Sequence, residues 1–278
     1  MPSQAPACGR PRLVREPVTQ LARALLGSSI LRRLLGLRVV EVGVSRRFAY
    51  TRLETGHVGV AYAWQGEPVP ERLLEEDTVE GLLVYAHQHP AATQVSLAAS
   101  SAALSHLLEE EPGLVEWEPG WRILDAAGIG GEGPVAVVGA VKGVLEELAR
   151  RGLSPVLYED NPVHRREAEA AGFEARPGDQ LLIEASRYRH LVATGASLLT
   201  PRILGAAAAI PGGRLLVGPT ASIPADAAAS LGFTAVAGSM IPSSSASAAL
   251  RLVRAGYGYR ALRRLVRKWL WLPPQRKP

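Results

Sequence analysis

The chain has 278 residues, 47% hydrophobic and 21% charged, with a net charge of +5. That length accommodates one large or two ordinary domains with proper cores, and no run of eighteen apolar residues offers a membrane span. Basic residues gather at the ends, seven Arg against Glu16 over residues 1–40 and nine Arg or Lys with no acid over 251–278. The middle is therefore acidic, about −10, and the basic balance does not point to nucleic acid.

Residues 1–12 read as a disordered tail. MPSQAPACGRPRL has no apolar signal core, which favours the cytoplasm, and Cys8 is the only cysteine, which excludes a disulfide or a cysteine-built metal site. In LVREPVTQLARALLGSSILRRLL (13–35) apolar residues recur at helical spacing with Arg between them, predicting one or two amphipathic helices. LRVVEVGVSRRFAYTRLE and HVGVAYAW predict three strands, near 38–44, 47–54 and 57–64, joined by tight turns. Glu71 to Ala86 and Thr93 to Glu110 read as two helices, the second dense in Ala and Ser. Residues 13–120 are thus expected to form an α+β domain.

The Gly- and Pro-rich stretch at 111–134 breaks both periodicities and marks the expected boundary. Beyond it VAVVGA (135–140), PVLYED (155–160), HLVATG (190–195), LLVGPT (215–220) and AVAGSMI (235–241) alternate with helical stretches. Residues 179–188 are ambiguous, with a helix favoured by the spacing of Leu182, Ala185 and Tyr188. Continuous apolar strands between helices predict a parallel sheet covered on both faces, an α/β, Rossmann-like domain over 121–258. Last, RALRRLVRKWLWLPPQRKP predicts a basic amphipathic helix and tail over 259–278, docked on the acidic body.

In a parallel sheet every strand ends on one edge, and ligands bind there where strand order reverses. The expected ends carry Gly139, Glu159-Asp160-Asn161, Thr194-Gly195 with Ser197, Gly218-Pro219-Thr220 with Ser222, and Gly238-Ser239. Small residues, hydroxyls and helix N-termini there suit an anion or a polar small molecule. Each also has a plain structural reading. Gly218-Pro219 makes a rigid turn, and Asn161-Pro162 is a helix cap followed by Pro at the first helical position. Glu159 or Asp160 stands where a dinucleotide fold holds ribose hydroxyls, but Gly139-Ala-Val-Lys142-Gly143 is not G-x-G-x-x-G, so no nicotinamide cofactor is expected.

This ordered set of strand-end motifs resembles the C-terminal domain of a family of unknown function named for heavy-metal chelation. VEVGVSRRFAYTRLE, GVAYAW and SLAASSAALS are similar to the enolase-N-terminal-like α+β domain that the family pairs with it. The resemblance covers roughly residues 35–260. Thr200-Pro201-Arg202 stands where the family tends to have Asn-x-Thr, and Ser100-Ser101 where it often has Asn. What the resemblance implies is a small-molecule, metal or metal-complex binding protein, its site on the strand-end edge facing the N-terminal domain. A metal ion or metal complex is the only cofactor it suggests.

The residues themselves supply few metal ligands. His87-x-His89 lacks a third partner nearby, Met240 reads as core, and His57 and Tyr62 read first as structural residues, with closure over the cleft as the second reading. No Walker, HExxH or GxSxG sequence commits the site to a reaction. The alternative is an enzyme binding a nucleotide, S-adenosylmethionine or a phosphorylated substrate in the same cleft. A homodimer and weak contact of the basic C-terminal helix with an anionic membrane surface stay open, and nucleic acid is not an expected partner.

Overall fold

A computed structural model describes residues 16–63, 68–85, 90–131, 133–200 and 202–272. Cys8, His87 and His89 lie outside them. Helices α1 (Glu16–Gly27) and α2 (Ser29–Arg32) lead into an antiparallel meander of β1 (Val39–Val44), β2 (Phe48–Leu53) and β3 (Val58–Tyr62), in that order across the sheet. Next come α3 (Glu71–Leu74), α4 (Val79–Val84) and the long α5 (Pro90–Glu110). The expected single helix over 71–86 is broken between α3 and α4. There Val39 donates to the carbonyl of Asp77 and Val79 to that of Leu37, and the Thr78 hydroxyl caps α4 by accepting from the Gly81 N–H. Backbone groups tied across to the β1 entry cannot also continue a helix.

Every residue of α5 from Ala91 to Leu108 except His106 is buried, as a helix enclosed on all sides must be. Its hydroxyls stay satisfied by carbonyls: Ser96 donates to Leu82 and Ser105 to Ser101. Gly59 lets β3 press onto it, because a Cβ there would run into the α5 backbone at Ala98 and Ala102. The meander lies against α5, and α5 in turn meets the second sheet.

That sheet has eight strands. Its members are β4 (Glu116–Trp117), β5 (Pro134–Val138), β6 (Ser154–Tyr158), β7 (Glu174–Arg176), β8 (His190–Thr194), β9 (Arg214–Val217), β10 (Ala235–Met240) and β11 (Arg267–Trp271). The order is β4-β11-β10-β9-β8-β5-β6-β7, parallel from β10 through β7 and antiparallel at β11 and β4. The chain walks outward from β5 to β6 to β7, then returns to β8 on the other flank of β5. The order therefore reverses between β5 and β8. Helices α6 (Arg122–Ala126), α7 (Lys142–Arg150) and α8 (Pro162–Ala170) belong to the first half. In the second are α9 (Leu181–Glu184), α10 (Arg202–Ala209), α11 (Ala225–Ser230), α12 (Ser243–Arg254) and α13 (Tyr259–Leu262). The architecture is α/β, an enolase-N-terminal-like α+β part joined to a Rossmann-like sheet.

The expected C-terminal helix is corrected. Helix stops at Leu262, and Arg267–Trp271 forms β11, paired antiparallel with β10. Trp269, Leu270 and Trp271 are all buried, the tryptophans in one core cluster and Leu270 in another. Burial on both faces suits a strand, and a short apolar run fits either period. Gly238 opposes Trp269 in register, and the indole fills the space a side chain would take. The second sheet thus includes residues 116–117 and 267–271, from the expected N-terminal domain and the expected tail. No helix among the described residues is long and apolar enough to cross a membrane.

The two parts are stitched by polar contacts. Asp226 accepts from the hydroxyls of Ser28 at 2.7 Å and Ser29 at 2.8 Å. Glu109 accepts the Ser243 N–H at the start of α12, and Val58 bridges Ile241.

Candidate functional site

A cavity of about 660 Å³ opens at the reversal point, walled by the ends of β5, β6, β8 and β9 and covered by Arg47, Tyr62 and Ala63 of the meander. Gly139 leaves β5 at φ +85°, and a Cβ there would collide with the Thr194 side chain of the neighbouring strand. Only glycine turns that corner without strain. Gly218 turns out of β9 at φ +108°, which ends the strand abruptly and leads into the turn at Pro219–Ala221. Gly195 is needed for space instead, since its Cβ would meet the backbone of Thr220 and Ala221. These close approaches draw the tips of β5, β8 and β9 into one wall.

Ten of the expected residues line the cavity: Gly139, Glu159, Asp160, Asn161, Thr194, Gly195, Ser197, Gly218, Pro219 and Thr220. Several of their polar atoms are engaged internally. Glu159 accepts the Ala140 N–H through Oε2 and the Asn161 N–H through Oε1, each at 2.9 Å, clamping the ends of β5 and β6. Asn161 caps α8 by accepting the Val163 N–H. Asp160 pairs with Arg202 at 3.2 Å, and Ser197 donates to the Thr194 carbonyl at 2.6 Å. Thr220 Oγ1 accepts the Tyr62 N–H at 2.9 Å, joining the cavity wall to its cover.

Ser222, Gly238 and Ser239 are not among the lining residues. Ser222 donates to the Ser239 carbonyl at 2.8 Å and accepts the Ser239 N–H at 3.3 Å, so that pair locks the exit of β9 to β10. Gly238 faces Trp269. Of the two departures from the family pattern, Thr200 and Arg202 line the cavity, whereas Ser100 donates away from it to the Ser222 carbonyl at 3.4 Å. Lys142 is not a lining residue and pairs with Glu146 at 3.6 Å, one helical turn on.

The lining also takes in Arg47, Tyr158, His164, Leu181, Arg202 and Tyr259. Tyr158 is fully buried and donates to Glu184, its oxygen 2.8 Å from that of Tyr188. Burial, followed by these hydrogen bonds, pushes the Tyr158 phenol far up, so it stays protonated. Its bond to Tyr158 and the Arg176 guanidinium hold the Glu184 carboxyl below the usual range. Burial likewise raises Tyr62 and Tyr259. Periodicity does not reveal these residues. Arg47 sits in an ordinary hairpin turn and reaches the strand ends only through the docking of the two parts, and Tyr259 follows a glycine at the start of α13.

The donor set does not suit a bare metal ion. No group of three or more His, Cys, Asp or Glu among the described residues could hold one. In the cavity, Glu159 is engaged by two N–H groups, Asp160 by Arg202, and His164 Nδ1 lies 3.8 Å from Glu159. Met240, the one described soft ligand, is buried in the core. A metal held here would need to bring most of its own ligands.

A structure of a protein of unknown function from Pyrococcus horikoshii, assigned to the DUF364 family, superposes with a TM-score of 0.71 at 12% identity, covering 92% of this chain and all of that one. A DUF364 protein of unknown function from Desulfitobacterium hafniense gives 0.69 at 16%, covering 91% and 98%. At such identities the likeness concerns the fold. No curated protein matches the chain. The model of the family described as "DUF364: Putative heavy-metal chelation" matches residues 122–272, just over half of the chain, from α6 to the end of β11. With the reversal of strand order, the glycine corners and the covering meander already described, the chain belongs to the DUF364 family.

Proposed function

We propose that the protein binds a small molecule or a metal complex in the cavity between its two parts. The observation that carries this reading is the position of the cavity. It opens where strand order reverses, and residues of the other domain cover it. The family description brings metal to the reading, and the weak donor set favours a metal that arrives already complexed. Engagement of both Glu159 oxygens by backbone N–H groups counts against a dinucleotide, because that carboxylate would have to release them to reach a ribose.

A second reading, an enzyme acting on a nucleotide, S-adenosylmethionine or a phosphorylated substrate, draws on one feature. Helix α7 starts directly after the β5 corner with no side-chain cap on its first turn. The test is native mass spectrometry and metal analysis of the purified protein, repeated on Ala140→Trp. Ala140 is an exposed lining residue, so an indole there fills the cavity without entering the core. A small molecule retained by the parent and lost from Ala140→Trp supports the reading. Equal retention by both refutes it.

A further inference from the structure

Five acidic or basic residues line the cavity: Arg47, Glu159, Asp160, His164 and Arg202. Four are accounted for. Glu159 accepts two N–H groups and has His164 beside it, and Asp160 and Arg202 form an ion pair. Arg47 alone has no hydrogen-bonding or charged partner for its side chain among the described residues. It also stands on the opposite side of the cavity from the strand ends, in the β1–β2 turn.

That turn is held firmly. Ser45 Oγ donates to the Phe48 carbonyl at 3.0 Å and accepts the Phe48 N–H at 3.2 Å. The Arg47 carbonyl accepts the Ala63 N–H at 2.9 Å. Phe48 is fully buried, its ring 5.0 Å from that of Tyr62. The backbone of Arg47 is therefore fixed from both sides, while none of the described residues engages its guanidinium at the cavity. A planar five-donor fork suits a carboxylate or phosphate better than any neutral group.

Further cations lie close by in the chain. Tyr259, another lining residue, opens α13, and Arg260, Arg263 and Arg264 follow it, all exposed and without an acidic partner among the described residues. Arg46, also exposed, lies against Gly256 at the end of α12. Exposed cations next in sequence to two lining residues add positive field on that side.

We infer that the cavity takes an organic anion, a small molecule bearing carboxylate or phosphate, with its acid group held by Arg47. This rests on the binding reading above and narrows it. A metal complex admitted here would be an anionic chelate, and a cationic one would meet repulsion from Arg47.

Isothermal titration of the full chain with citrate, nickel–citrate and adenosine monophosphate, set against the neutral trimethyl citrate and adenosine, tests the inference. The two chemistries are told apart by which pair responds. The expected result is at least one anionic probe binding ten-fold or more tighter than its neutral counterpart and weakening as salt rises. Arg47→Ala should lose at least ten-fold of that affinity, and Arg47→Lys less. If trimethyl citrate or adenosine binds as tightly as its anion, is insensitive to Arg47→Ala and is lost in Ala140→Trp, the anion inference fails and the cavity reading stands. Anionic probes that bind parent and Ala140→Trp alike overturn the cavity reading as well. Binding of no probe at millimolar concentration overturns the inference.

Discussion

The hydrogen bond from the Tyr62 N–H to Thr220 Oγ1 links cavity wall and cover, and Thr220→Val removes its acceptor alone. Thr220 is 2% exposed, so the valine methyl occupies the hydroxyl's place and leaves water no entry. The Tyr62 N–H then faces an apolar group. An unpaired buried donor costs about 1–3 kcal/mol, and the part-buried setting of this bond puts the loss nearer about 1–2 kcal/mol. For a chain of this size that lowers Tm by about 2–4 °C per kcal/mol. Urea denaturation of Thr220→Val and Thr220→Ser measures it. Serine keeps the oxygen and loses one methyl, so it should lie closer to the parent than valine does. Because Tyr62 lines the cavity, the same valine variant should also bind any cavity ligand more weakly. If valine matches the parent, or serine loses as much as valine, the hydrogen bond is not what joins the two surfaces.

Three further outcomes follow from particular contacts. Gly195→Ala drives a Cβ into the Thr220–Ala221 backbone and should cost at least the about 1–3 kcal/mol of ordinary overpacking, and an unchanged urea midpoint would contradict that fit. Trp269→Ala should cost about 3–5 kcal/mol, the range for a buried tryptophan, whereas a loss below about 1 kcal/mol would fit an exposed terminal helix instead of β11. Burial pushes the Asp226 carboxyl up, but hydrogen bonds from Ser28, Ser29 and Ala227 outweigh it and hold its pKa below the ordinary value. A depressed folded pKa contributes stability above about pH 4 that is lost as pH falls through that pKa. The stability gap between the parent and Asp226→Asn should accordingly shrink from about pH 6 to about pH 2.5, and a constant gap would refute the assignment.

The interior of the sheet was legible because its strands are buried on both faces and read as unbroken apolar runs. The five expected strands appear as β5, β6, β8, β9 and β10, each ending one to three residues short of the predicted segment. The overhangs are the glycine and hydroxyl tips themselves, which leave the ladder to turn. The edges were not legible. Glu116–Trp117 and Glu174–Arg176 are two and three residues long, too short for any period to show. Lys268 to Trp271 fits a helix as well as a strand, and only the groove over Gly238 decides for the strand.

Polarity at strand ends also has a structural origin of its own. A tip leaving a parallel sheet frees backbone N–H and carbonyl groups that must find partners, and the nearest side chains supply them. Glu159, Asn161, Ser197 and Ser222 do this work, so their chemical types follow from the turn before any ligand is considered. The more informative quantity is polar capacity that the fold leaves unengaged, and among the described residues at this cavity its charged part lies on Arg47, in the meander. No reading of the strand tips alone could find it. If the cavity binds as proposed, its selectivity is a property of the docked pair, and a change that loosens the Tyr62–Thr220 link should alter ligand choice even where every strand tip is intact.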